Sequence, residues 1–141
     1  MSEITVYQSE PTRKTPWVVL EPGRIFMMGR SISENPGEFF RPVYKWIQDY
    51  AAANPGPTSI HLGFEYINTS STKWVYSLLR ELSVMEDVVE NASVNWYYDQ
   101  GDDDMAELGF ILRSLIECPF VVTEINGMGK KKYEQILKGE D

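Results

Sequence analysis

Between residues 58 and 125 the hydrophobic pattern keeps changing period, and that alternation limits the folds open to this chain. Residues 59–67 alternate, with Ile60, Leu62, Phe64 and Tyr66 on one side and His61, Gly63 and Glu65 on the other. This is the pattern of a half-buried strand. Val75, Leu78, Leu79, Leu82, Met85 and Val89 then share one helical face. Residues 93–98 alternate again, setting Val94, Trp96 and Tyr98 against Ser93, Asn95 and Tyr97. A second helical stripe follows through Met105, Leu108, Leu112 and Leu115, and Phe120–Ile125 reads as a last strand. Strand and helix in turn predict an α/β domain whose later strands run parallel through right-handed crossovers. Strands buried on both faces would be apolar on both sides. These have one apolar and one mixed side, so the helices are expected mainly on one face of a mixed sheet.

The first third of the chain has a different pattern. Two apolar runs, Trp17–Leu20 and Arg24–Gly29, flank Glu21-Pro22-Gly23, the signature of a hairpin turn. A short edge strand is expected around Ile4–Tyr7. Ser33–Gly37 reads as a loop with capping residues. The next helix buries Phe40, Val43, Ile47, Tyr50 and Ala51 and ends at Asn54-Pro55-Gly56-Pro57. Pro42 is expected in its first turn, where a missing N–H does no harm. The organisation expected is a flexible segment over 1–14, one domain over 15–126, and a charged tail over 127–141. That tail has the spacing of a short helix through Tyr133, Ile136 and Leu137.

Composition excludes several classes. At 141 residues and 43% hydrophobic, a single domain can form a core without staples. Its one cysteine, Cys118, allows no internal disulfide and reads as a core or boundary thiol. A net charge of −8 argues against nucleic acid, and nine acids against one arginine fall within residues 86–117. Nothing resembles a leader or a membrane span, so the expected location is cytoplasmic, without membrane contact.

The strand ending at Ile67 meets the following helix in Asn68, Thr69, Ser70, Ser71 and Thr72. Asn, Ser and Thr are the preferred N-caps, so one of Asn68–Ser71 is expected to cap the helix. One cap does not use four hydroxyls. The first-turn amides have no intrahelical partners and the helix dipole is positive there, so the surplus hydroxyls stand where an anion is well held. A kinase could also reach them.

Other chemistry is thin. His61 shares a strand face with Glu65, a pairing capable of acid–base work, but no nucleophile or metal ligand accompanies it. A metal site is not expected. Asp99, Asp102, Asp103 and Asp104 could offer oxygens to Mg²⁺ or Ca²⁺, yet the spacing of a Ca²⁺ loop is missing, and Asp102 or Asp103 suits a helix cap. Residues 127–132, GMGKKK, lack the spacing and final hydroxyl of a phosphate loop. Trp96, Tyr97 and Tyr98 read as core. Neither an enzyme nor a resident cofactor is expected.

Four stretches, GRSISENPGEFFRPVYKWIQDY, YINTSSTKWVYSLL, VNWYYDQGDDDMAELG and CPFVVTEI, resemble the SiaC-like regulatory phosphoproteins of bacteria across roughly residues 15–125. The resemblance implies a fold similar to the STAS domain of anti-anti-sigma factors. It further implies that a serine/threonine kinase phosphorylates Thr69, flanked by Asn68, Ser70 and Ser71, and that a PP2C-type phosphatase reverses this. The unphosphorylated form would bind and activate a diguanylate cyclase, bringing cyclic di-GMP and biofilm formation under control. An ungapped alignment puts Ser70 at the anti-anti-sigma serine, which makes it the second choice. Gly101 interrupts the acidic loop. Two alternatives remain open: a constitutive binding module in which the hydroxyls only cap a helix, and a small enzyme using His61 or the acidic loop.

Overall fold

A computed structural model describes residues 4–53, 55–85 and 87–139. The strands are β1 (Tyr7–Ser9), β2 (Trp17–Glu21), β3 (Arg24–Ser31), β4 (Thr58–Ile67), β5 (Ala92–Asp99) and β6 (Phe120–Ile125). The helices are α1 (Pro36–Ala52), α2 (Thr69–Leu82), α3 (Val88–Asn91), α4 (Asp103–Leu115) and α5 (Lys130–Leu137). One mixed sheet runs β1-β2-β3-β4-β5-β6, antiparallel through β3 and parallel from β3 to β6. Because β3 to β6 succeed one another without reversal, crossovers of one hand place their helices on one face. Accordingly α1, α2 and α4 share a core with Leu20, Ile25, Met27, Phe64 and Trp96.

The hairpin is as expected, with Pro22-Gly23 between the paired Glu21 and Arg24. Gly23 takes φ 89°, which a turn with proline before it demands of its third residue. Its N–H donates to the Tyr50 hydroxyl at 2.8 Å, and that oxygen lies 2.6 Å from Thr58 Oγ1. The turn is thereby bound to α1 and to the start of β4.

The mixed face is not bare. Helix α5 lies across it, and Tyr133, Ile136, Leu137 and Met128 pack against Trp17, Val19, Phe26, Met28 and Tyr97. The Tyr133 hydroxyl donates to Glu65 Oε2 at 2.5 Å, and the Arg24 guanidinium donates to the Leu137 carbonyl.

Six local expectations need correction. The edge strand sits at Tyr7–Ser9, where it can pair with Val18–Leu20, and not at Ile4–Tyr7. Pro42 lies inside α1, past its first turn. It is exposed there, so the Glu38 carbonyl it leaves without a helix donor can turn to water. The alternation of β4 breaks at a bulge, because Gly29 pairs with Phe64 and Arg30 with Tyr66. Glu65 is the extra residue, and Tyr66 is exposed while Ile67 turns into the core. The stripe ending at Val89 is two helices. α2 stops at Leu82, where Ser83 Oγ donates to the Arg80 carbonyl. Met85 still packs into the core, but Asp87 takes a left-handed conformation and Val89 is exposed. In α4, Leu115 is exposed, and the inward positions are Leu112, Gly109 and, just beyond the helix, Ile116. Trp96 is core, whereas Tyr97 and Tyr98 are half-buried. Asn54, part of the expected stop after α1, lies outside the described residues.

Candidate functional site

The junction of β4 and α2 is built around Asn68. Its backbone N–H donates to the Ser31 carbonyl at 3.0 Å, carrying the β3–β4 pairing one residue past the strand. Its Nδ2 donates to the Ser33 carbonyl at 3.0 Å, and its Oδ1 accepts the Ser71 N–H at 2.8 Å as the N-cap of α2. Its carbonyl accepts both the N–H and the hydroxyl of Thr72, each at 3.0 Å. A single asparagine therefore joins strand, loop and helix.

The hydroxyls divide accordingly. Thr72 is bonded back to Asn68. Ser71 is fully buried, and its Oγ finds no partner among the described residues. Ser71 is thereby closed to a modifying enzyme, and the half-buried Thr72 has its hydroxyl engaged. Thr69 and Ser70, the first two helical residues, are exposed, and neither forms a side-chain hydrogen bond among the described residues. Their backbone amides are also the first-turn donors that Asn68 does not occupy. Ser70 further borders an open depression of about 410 Å³ with Tyr44, Lys73, Trp74 and Ser77. Trp74 is fixed there by stacking on Phe40 at 5.9 Å between centroids. The sequence held no signal for this depression, because Tyr44 and Trp74 come together only when α1 packs on α2.

This arrangement separates two roles of neighbouring residues. Asn68→Ala is expected to lower unfolding stability by about 0.5–2 kcal/mol, the loss of a cap. Thr69→Ala, at an exposed and unbonded position, should change it by less than about 0.5 kcal/mol. Urea unfolding followed by tryptophan fluorescence measures both. Equal losses would make Thr69 a structural residue.

The other sequence candidates are dispersed. His61 and Glu65 do not pair. His61 Nδ1 lies 3.0 Å from the Tyr97 hydroxyl and Nε2 lies 3.3 Å from Ser59 Oγ, whereas Glu65, displaced by the bulge, accepts from Tyr133. Burial, and secondarily the Arg24 charge, hold the His61 imidazole below its ordinary pKa. The unfolded chain then binds the proton more readily, so this contribution to stability is present above about pH 6.5 and is lost as pH falls through the lower folded value. Acidification from pH 7.5 to 5 should therefore destabilise the wild type more than His61→Gln, as read by thermal melts. Parallel losses in the two would refute the assignment.

Asp102 caps α4, accepting the Met105 N–H at 3.2 Å, and Asp99 accepts the Gly127 N–H at 3.0 Å. Among the described residues, no group of three or more His, Cys, Asp or Glu is placed to hold a metal. Burial raises the pKa of the Cys118 thiol, which makes it a poor nucleophile. No described helix is long and apolar enough to cross a membrane.

A mixed six-stranded sheet with α1, α2 and α4 on one face and α5 on the other, and two unbonded hydroxyls opening α2, describe a small α/β domain. The SiaC family regulatory phosphoprotein model matches residues 9–125, and the chain belongs to that family. An uncharacterised protein of Pseudomonas aeruginosa strain UCBPP-PA14 is 31% identical over 115 residues, 82% of this chain and 89% of the relative. The crystal structure of apo-SiaC from Pseudomonas aeruginosa is similar with a TM-score of 0.76 at 29% identity, covering 84% of this chain and 98% of SiaC. SiaC in the crystal structure of diguanylate cyclase SiaD in complex with its activator SiaC gives 0.75 at 28%, covering 84% and 99%. The family match ends at Ile125, so α5 lies outside it.

Proposed function

We propose that this chain is a non-catalytic phospho-switch. A serine/threonine kinase phosphorylates Thr69, with Ser70 as the second choice, and a PP2C-type phosphatase removes the phosphate. The unphosphorylated form binds and activates a diguanylate cyclase in the cytoplasm, linking the switch to cyclic di-GMP and biofilm formation. The observation that carries this reading is the division of the hydroxyls. Asn68 alone meets the needs of the helix end, which leaves Thr69 and Ser70 exposed and unbonded. SiaC's role as activator of SiaD supports the choice of effector.

A phosphate adds roughly −1.5 to −2 charges. At the first turn of α2 the free amides and the helix dipole favour it by about 0.3–2 kcal/mol, so the fold should accept it. A partner seated over the junction would instead have to bury that charge, at a cost of several kcal/mol. Intact-mass and fragmentation mass spectrometry of the protein from its native cells tests the switch. A single phosphate on Thr69 is expected, and one on Ser70 keeps the mechanism at the neighbouring residue. No phosphate under any growth condition, even with the phosphatase removed, would leave a helix cap and a constitutive binding module.

A further inference from the structure

One cleft at the end of the sheet that carries Thr69 is basic, against the sign of the whole molecule and although the parallel β5 brings Asp99 and Asp102–Asp104 to the same end. Arg13, Lys14 and Arg30 line one open cleft of roughly 710 Å³ together with Pro11, Thr12 and Ile32. All three cations are exposed, and none has a carboxylate partner among the described residues. The ion pairs among the described residues are Arg24–Glu21 and Lys45–Asp49, both elsewhere. The chain has 21 acids against 13 Lys and Arg, yet no ion pair forms here among the described residues. Gathering like charges without relief costs energy in the free protein, and an anionic visitor recovers it.

The cleft is also preformed. Thr12 Oγ1 accepts the Lys14 and Thr15 amides at 3.1 and 2.9 Å, and the Thr12 N–H donates to the Thr15 carbonyl at 2.9 Å. The Ile32 N–H then donates to the Lys14 carbonyl at 2.9 Å, holding this turn against the end of β3. Tyr66, 60% exposed, is the register partner of Arg30 on β4 and adds an aromatic surface beside the charge. One residue past the strands, Asn68 bonds to Ser31, so the cleft and Thr69 belong to the same end of the domain.

We propose that this cleft is a docking site for an acidic segment of a protein partner. Three cations cannot carry a −8 protein onto the dense charge of nucleic acid or an anionic membrane, but they can seat a short run of carboxylates with Tyr66 against an apolar neighbour. The site deepens the reading that this end meets a partner, and it rests on that reading only for the expected effect of the phosphate. Phosphate on Thr69 would enter the field of the cleft and weaken its hold on carboxylates.

The test uses a fluorescein-labelled peptide of glutamates flanking one leucine, with fluorescence anisotropy at about 50 and about 150 mM salt. Binding should weaken with salt. The Arg13→Gln/Lys14→Gln/Arg30→Gln variant should lose about tenfold or more in affinity. Lys130→Gln/Lys131→Gln/Lys132→Gln removes the same charge from α5 and should stay within about twofold of wild type. Circular dichroism checks that both variants fold. Equal losses in the two variants would reduce the effect to net charge and overturn the proposal, as would tighter binding of an oligothymidylate strand at the same residues. If the cleft variant loses the peptide while Thr69-phosphorylated protein binds it undiminished, the cleft stands and its coupling to the phosphate fails.

Discussion

Trp96→Ala should be the most damaging core substitution in the sheet, lowering unfolding stability by about 3–5 kcal/mol. Trp96 is completely buried, and its ring meets Phe64 at 5.6 Å between centroids. Its Nε1 donates to the Met105 carbonyl at 2.9 Å. Truncation would empty the space between β5 and α4 and remove the indole's hydrogen bond to the helix. The fit is close enough for Gly109 to be obligatory, because a Cβ there would lie 2.4 Å from Trp96 Cδ1. Gly109→Ala is therefore expected to cost about 1–3 kcal/mol by overpacking, and less in a Trp96→Phe background. Chemical denaturation of Trp96→Ala, Gly109→Ala, Trp96→Phe and the Trp96→Phe/Gly109→Ala double variant measures this. A loss under about 1.5 kcal/mol for Trp96→Ala would show that α4 is seated by other contacts.

The second large effect concerns binding. Stoichiometric phosphorylation of Thr69 should lower affinity for the proposed effector cyclase by at least about tenfold, which about 1.4 kcal/mol produces and one unpaired interfacial charge easily exceeds. The thermal midpoint should remain within a few degrees, because the same phosphate is tolerated at the first turn of α2. Calorimetric titration of the effector with both forms, alongside melts of each, separates the two quantities. Equal affinities would end the switch hypothesis. A lost affinity with a melted α2 would keep the switch and replace its electrostatic mechanism by local unfolding.

Much of the architecture was legible because period reports burial directly. The hairpin about Pro22-Gly23, the inward residues of α1 and the parallel order after β3 followed from alternation, a turn dipeptide and the crossover rule. Two of the readings that failed share a cause: each carried a period past a point where the backbone changes phase. Tyr66 continues the stripe of β4, but the bulge at Glu65 turns it outward. Val89 continues the stripe of α2, but the chain turns after Leu82. A stripe in sequence does not reveal where a bulge or a left-handed residue such as Asp87 interrupts it.

The site divides along the same line. That residues 68–72 open a helix, and that they hold more hydroxyls than a cap requires, is local chemistry and was determined by the sequence. Which hydroxyl remains free was decided in three dimensions, since only the packing of α2 buries Ser71 and only Asn68, held by Ser31 and Ser33, draws Thr72 inward. The basic cleft is likewise tertiary. Arg13 and Lys14 stand far from Arg30 in the chain, and they meet because the turn at Thr12–Thr15 hydrogen-bonds to the end of β3. Local sequence sets each residue's propensity and charge, but long-range pairing alone decides which of them share a surface.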